Sequence, residues 1–515
     1  MLWRPPETLR KAATIGGTIP APVRGLNVID GLADMAAGYA VILTNWFPES
    51  NYCRIRRGFE DQTTGISGDV TTLMEWAGPS SRKFFAANAS AIYDISAAGA
   101  VGAASVSSLT NGYWQYVNFT TSGGSFLIAV NGADTARSFD GTTWAEPSIT
   151  GPSATSALIN IASHKKRLWF VEKDTTKAWY LATDAITGAA TAFQLGSVFR
   201  KGGKLKLIGT MSHDSGAGAD DYCCFISSRG EIAVYQGTDP AAANTWSLVG
   251  TFLTGAPIGD RALFNVGGDL AMLSEDGVIS ISQMMQLDRA ASDKAAITNK
   301  ISDLFSDAFQ SYGSLTGWQA TIYPRGHMAL FNVPISSTEA IQYVMNTQTG
   351  AWCKFEGMNA RCWGLFGEDI YFGGATAVWK ADSGTADDGA SIAADMACAY
   401  SYPGGRGVRK RFTMIRPVFE SNGPLTLALR LNVDYRSELP SLDDSFLTSE
   451  QEGSLWGTMI WGTGYWGGPT IRSDWYATYG DGYAASPRLR TVTDGVAVKL
   501  HAFDIKAERA TVDAL

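Results

Sequence analysis

The stretch Gly268–Ser282, GDLAMLSEDGVISIS, reads as one β-hairpin. Leu270–Leu273 and Val278–Ile281 are short apolar runs. Between them Ser274-Glu275-Asp276-Gly277 ends in the Asp-Gly pair that a tight turn with positive φ favours. A lone hairpin is marginal in water, so this one needs others to stack on. The same phrase recurs at Lys83–Ile95, Ser125–Phe139, Arg167–Tyr180, Tyr222–Tyr235, His327–Val344 and Asp369–Trp379. Equivalent positions are Phe85, Leu127, Trp169, Cys224, Ala271, Ala329 and Tyr371, in steps of 42, 42, 55, 47, 58 and 42 residues. One hairpin in every ~40–50 residues is the spacing of β-propeller blades, although no WD or kelch consensus is present. The expected fold is mainly β: an irregular β-propeller of about seven blades. The alternative is an all-β chain of many hairpins that close no ring.

The flanks read differently. Residues 1–20 carry Pro5-Pro6, Gly16-Gly17 and Pro20 and read as an extended N-terminal arm, either disordered or laid over a neighbouring subunit. Residues 21–75 read as the N-terminal part of a platform domain, with a short helix at Asp34–Leu43 and a strand at Cys53–Arg57. The propeller takes 76–385. Within it Ile297, Ile301, Leu304, Phe305 and Ala308 recur at helical spacing and predict one inserted helix over 291–310, capped by Ser292 or Asp293. Residues 386–515 return to long alternating strands. Arg411–Phe419 and Leu425–Tyr435 flank the turn Ser421-Asn422-Gly423-Pro424, and Arg488–Val492 and Val496–Ile505 follow. This C-terminal part is expected to be a β-sandwich or barrel, the rest of the platform domain. Trp456, Trp461 and Trp466 stand five residues apart, which fits neither strand nor helix and places them on loops.

Composition narrows the function classes. The 515 residues include 56 Gly and only 17% charged side chains, which suits turn-rich β structure. The 16 Trp are many, and large aromatics favour interfaces, so oligomerisation is an expectation. Net charge is −8, and no basic run exceeds Arg409-Lys410-Arg411, so tight nucleic-acid binding through clustered phosphate contacts is not indicated. An acidic wall would instead let a duplex slide past. Cys53, Cys223, Cys224, Cys353, Cys362 and Cys398 form no CxxC and no even framework and are read as reduced. Of the adjacent pair Cys223-Cys224, at most one should face the core. The opening residues show no apolar signal core, and no run of apolar residues is long enough to span a membrane as a helix. The sequons at Asn88 and Asn118 therefore carry no weight.

A search for chemistry returns little. His164, His213, His327 and His501 lie far apart and begin no metal-ligand pattern, and no P-loop or GxSxG occurs, so neither a cofactor nor a metal nor a catalytic set is expected. Ser138–Trp144 is close to an Asp-box turn, but the Asp and Gly adjoin. His213–Asp221 concentrates carboxylates and glycines that could hold Ca²⁺, although EF-hand spacing is absent and a solvated inter-blade loop is the simpler reading.

Three fragments carry a family resemblance. Gly25–Phe59 contains GLNVIDGLADM, AVILTNWFP and RIRRGF. It resembles the opening of the tail nozzle (tail hub or tail tube) proteins of short-tailed bacteriophages, whose pattern is GLNxxDxLAxM, then LxNWFP, then an Arg before RxG. Arg409-Lys410-Arg411-Phe412 through Arg416-Pro417 to Asp434-Tyr435 is similar too, and the Trp-Gly repeats look like those of phage tail proteins. The resemblance implies a structural virion protein, a six-fold ring below the portal and adaptor ring proteins. Each subunit would carry its propeller outside and its β platform near the axis. Tail fibres or spikes would be further partners. The ring would retain packaged double-stranded DNA and conduct it during ejection without specific binding. Its place would be the virion tail, after assembly in the bacterial host cytoplasm. Loops 440–485 and 213–221 become gate candidates, and Trp456, Trp461, Trp466, Asp214, Asp220 and Asp221 become interface or gate candidates. The alternatives are a propeller-fold glycan hydrolase of a phage tail, or a tail-fibre attachment module without a channel.

Overall fold

The computed structural model describes residues 14–214, 219–242, 244–286, 296–440, 445–447, 453–454, 465–466 and 470–510. It divides into two compact units. One comprises 58–347 and 356–384, and the other comprises 1–57, 348–355 and 385–515.

The first unit is the propeller. Seven antiparallel meanders follow one another along the chain, and their first strands are Thr72–Ala77, Gln115–Thr121, Leu158–His164, Leu205–Asp214, Leu263–Val266, Gln319–Tyr323 and Cys362–Phe366. The seven positions matched in the sequence all fall on the second strands, and all seven side chains are buried. In the fifth blade Asp269–Ser274 pairs with Gly277–Ser280, and Gly277 takes φ +104°. The ring closes by strand exchange. Phe59–Thr64, from the start of the unit, pairs antiparallel with Val378–Ala381 and completes the seventh blade, with Thr63 opposite Val378.

The second strands read as unbroken apolar runs because each blade is covered on both faces. In Arg82–Ala87, Phe84 joins Cys362, Tyr371 and Val378 of the seventh blade, while Phe85 joins Leu127 and Phe139 of the second. Leu127 turns back to the first blade, and Ile128 packs on Leu168 and Phe170 of the third. Leu168 faces the second blade, and Trp169 faces Cys223 and Phe225 of the fourth. Each fully buried Phe or Leu contributes about 1.5–3 kcal/mol, and the alternation sends that contribution to opposite neighbours in turn. Cys223 and Cys224 are therefore both wholly buried, against the expectation that only one would be. The rule of one buried face fails where every sheet is an inner layer. All six cysteines are free and buried. The described Trp side chains are not exposed either, and Trp46, Trp114, Trp169 and Trp352 are among the most deeply buried groups. The composition argument from Trp to interfaces loses these residues to internal packing.

One buried group gives this unit an acid limit. His164 ends the first strand of the third blade, its ring edge-on to Trp246 at 5.6 Å. Burial, with Lys165 beside it, lowers its pKa from 6.5 to about 4, and Asp221 and the Gly237 backbone oppose that only in part. The unfolded chain takes up this proton below pH 6.5 and the folded ring refuses it until about pH 4, so stability falls as pH drops through that window. The loss at this one site is about 3 kcal/mol. Urea unfolding followed from pH 7 to pH 4 is expected to show this acid limb, and His164→Phe is expected to flatten it.

Two helices stand between the fifth and sixth blades among the described residues. Ile281–Met284 is short and is capped by Ser280, whose Oγ accepts from Gln283 N. Ser302–Tyr312 follows the 3-10 turn Asn299–Ile301 and buries Phe305 and Ala308. The expected helix over 291–310 thus begins later, and its proposed caps Ser292 and Asp293 lie outside the described residues. Phe305 packs near Trp318 and Tyr343, which fixes the helix on the sixth blade.

The second unit is a two-sheet β domain. One sheet orders Trp46–Pro48, Cys53–Ile55, Val498–Arg509, Lys410–Ser421 and Thr470–Arg472, with Thr14–Pro20 also on Val498–Arg509 and Tyr476–Gly482 also on Lys410–Ser421. The other runs Trp352–Phe355, Gly25–Leu26, Tyr39–Thr44, Ile392–Cys398, Ala485–Thr493, Thr426–Val433 and Ser445–Leu447. The faces meet where Phe47 packs on Phe355 at 6.3 Å and where Cys53 senses Cys398 and Cys353. Burial first, then these thiols, push the Cys53 pKa well up.

Four expectations change here. The described part of the arm, Thr14–Pro20, is a strand paired along Ala502–Glu508, where its glycines and proline sit on an edge strand. No helix forms at Asp34–Leu43. Tyr39–Thr44 is a strand instead, as the β-branched Val41 and Ile42 prefer. The first platform segment ends at Arg57 rather than 75, since the next strand closes the propeller. The turn Ser421–Pro424 does not join a hairpin. It carries the chain from one sheet to the other, as does the link from Ala485–Thr493 to Val498–Arg509.

Candidate functional site

Of the residues singled out from the sequence, only some lie among the described residues. Trp456 and Trp461 lie outside the described residues. Trp466 belongs to the two-residue strand Tyr465–Trp466, parallel to Gly453–Ser454, with its side chain outside the described set. Asp214, Asp220 and Asp221 sit in the hairpin between the first two strands of the fourth blade, with Asp214 opposite Ala219, Asp220 opposite His213 and Asp221 opposite Ser212. That hairpin lies within a blade, not between blades, because the two strands register across it. The Asp221 carboxylate is already used: Lys165 Nζ and Ser212 Oγ each donate to it at 2.5 Å. Lys165 first, then Ser212, hold its pKa below the usual carboxylate range. Among the described residues no group of three His, Cys, Asp or Glu side chains could hold a metal ion. Asp140, in the turn resembling an Asp box, accepts from Thr142 N and Thr143 N at 2.8 Å, so its carboxylate holds a turn.

A site the sequence reading missed lies at the centre of the propeller. The first strands line a cavity of 390 Å³, and a second of 510 Å³ opens where the loops lead into them. Both are bordered by Gln115, Asp260 and Arg261. Arg261 precedes the first strand of the fifth blade and reaches across the ring. One of its terminal nitrogens donates to Thr71 O at 2.9 Å, and the other to Thr72 Oγ1 and to Trp114 O at 3.2 Å. Gln319 of the sixth blade stands at 3.4 Å and passes the link on, its Nε2 donating to Trp363 O at 2.8 Å in the seventh. Arg261 is partly exposed and borders both cavities. Burial lowers its pKa. No signal marked this residue, since Asp260-Arg261 in a loop reads as an ordinary exposed pair. Only ring closure brings Thr71 and Trp114 to it.

The fragments that carry the family resemblance are architectural in the second unit. In GLNVID, Asn27 Oδ1 accepts from Ile29 N and Asp30 N, and its Nδ2 donates to Asp30 Oδ2 at 2.8 Å. In NWFP and RIRRG, Asn45 takes φ +58° and its Oδ1 accepts from Arg56 Nε at 2.9 Å. Arg56 then donates to both oxygens of Asp387, at 2.7 and 2.6 Å. In the later fragment, Lys410 has no exposed surface and donates to Gly405 O and Tyr483 O. Asp434 accepts from Tyr483 N and Ala484 N, closing the same corner.

No family model and no curated protein matches the chain. Among solved structures it is similar to BBS1N, crystallised in complex with ARL6DN, at 10% identity and TM-score 0.39, over 65% of this chain and 99% of that one. It is also similar to a glycoside hydrolase family 43 arabinoxylan arabinofuranohydrolase from Bacillus subtilis in complex with cellotetraose, at 11% identity and TM-score 0.25, over 87% of this chain and 96% of that one. No helix among the described residues is long and apolar enough to cross a membrane.

Proposed function

We propose that the chain is the tail nozzle subunit of a short-tailed bacteriophage, a structural virion protein. Copies of it form a ring, six-fold in the family it resembles, that extends the portal and adaptor channel. The ring retains packaged double-stranded DNA, conducts it during ejection, and carries tail fibres or spikes. It is assembled in the host cytoplasm and resides in the virion tail. The observation that carries this reading is that the resembling fragments, Gly25–Phe59 and Arg409–Tyr435, belong to one compact unit in all but Gly58 and Phe59. Their polar residues there build corners and a buried ion pair rather than a reaction centre. The net charge of −8 suits a wall along which a duplex slides. The bore of each propeller is crossed by Arg261, so in this reading the DNA path is the axis of the ring of copies.

The hydrolase reading needs two free carboxylates about 5–10 Å apart. At the propeller centre Asp174 is engaged by Lys204 at 2.5 Å and Asp260 faces Lys206 at 3.7 Å. The test is negative-stain microscopy and light scattering of the purified chain mixed with its portal–adaptor complex. Rings with cyclic symmetry stacked on the adaptor are expected. A chain that stays monomeric beside the adaptor overturns the proposal.

A further inference from the structure

The two central cavities of the propeller adjoin as an outer mouth and an inner chamber, with Gln115, Asp260 and Arg261 lining both. Their walls carry the cations Lys173, Lys204, Lys206 and Arg261 and the carboxylates Asp174 and Asp260. Lys204 is spoken for by Asp174, and Lys206 by Asp260. That leaves Lys173 at the rim and Arg261 at the neck. Each partner of Arg261 is neutral, two backbone carbonyls, a hydroxyl and an amide oxygen, and no carboxylate lies within 4.0 Å of it among the described residues. A guanidinium does not shed its proton in a protein, and a partly buried charge is stabilised when something of opposite sign meets it. Cavities with excess positive charge also run against the chain as a whole, which is acidic.

We infer that these adjoining cavities are a binding site for a small oxyanion, a single phosphate or carboxylate group that passes Lys173 and settles on the cavity side of Arg261. The terminal nitrogens of Arg261 already donate to four protein acceptors, so the anion meets its Nε–H and the field of its charge. The inner cavity admits a group of that size, and polar side chains such as Asn160 and Asn265 line it. The anion arrives either free in solution or borne on a sugar. The inference concerns the propeller alone and stands apart from the ring-forming role.

The test uses the full chain and isothermal titration calorimetry with inorganic phosphate, glucuronate and glucose. A single-site isotherm with a dissociation constant below about 1 mM is expected for at least one of the two anions, and none for glucose. Tighter glucuronate assigns the site to a sugar-borne group, and tighter phosphate to the free ion. Two variants spare Arg261, whose loss endangers folding. Lys173→Ala removes an exposed rim charge and is expected to weaken binding about 3–10-fold. Asn265→Phe adds bulk to the wall and is expected to abolish binding, with circular dichroism confirming that the ring is folded. No heat with either anion, equal binding of glucose, or unchanged affinity in both folded variants overturns the inference.

Discussion

Asp387→Ala lowers the stability of the two-sheet unit by about 3–5 kcal/mol, the usual cost of removing one partner from a buried ion pair. The Arg56 side chain is 1% exposed and that of Asp387 11%. The carboxylate takes both terminal nitrogens of Arg56, Asn45 takes Nε, and the guanidinium lies over the Phe355 ring at 6.0 Å. Alanine leaves a charge that neither water nor proton loss relieves. The double variant Arg56→Met, Asp387→Leu is expected to recover much of the loss, because an apolar pair of similar volume often matches a buried ion pair. Urea denaturation of the full chain, followed through the transition of this unit, separates the two. If the single variant unfolds at the parent's midpoint, the pair contributes nothing and the account of this corner is wrong.

Trp169→Ala costs the propeller about 3–5 kcal/mol. The indole is fully buried between the third and fourth blades, 4.9 Å from Tyr180, 5.4 Å from Phe225 and stacked on Trp246 at 5.6 Å. A close-packed wedge relaxes little, so most of the vacated volume remains as cavity. Trp144→Ala is the comparison. That ring is only half-buried, on the second blade, and its loss is expected to cost less than half as much. Thermal unfolding of both variants beside the parent checks the order.

The blades were legible because their second strands are inner layers. Phe84-Phe85-Ala86-Ala87 and Leu168-Trp169-Phe170-Val171 are buried throughout, so the apolar run itself keeps time along the chain. Less legible were the elements whose burial is supplied by distant partners. Phe59–Thr64, FEDQTT, has no apolar run, and its ladder depends on Val378–Ala381 at the far end of the ring. Thr14–Pro20 looks like an arm until Val498–Arg509 is placed beside it. Arg261 was invisible for the same reason. Two of its four acceptors, Thr72 and Gln319, lie on first strands and two, Thr71 and Trp114, just before them, and no local pattern announces a side chain that spans a bore. The Asn45–Arg56 half of the buried corner was in view as NWFP and RIRRG, but Asp387 stands in an unremarkable acidic turn.

Because Thr63 waits for Val378, and Thr14–Pro20 for Ala502–Glu508, the propeller cannot close before Val378 has left the ribosome, and the two-sheet unit cannot pair its first strand until residues 502–508 follow. At about 5–20 residues per second, the first strand of the ring idles for roughly 15–60 s before its mate exists. Through that interval the open edges of the growing fan are sticky toward sister chains on the same message. Chaperones, or slow translation in the cold, would then govern yield more than the final stability does.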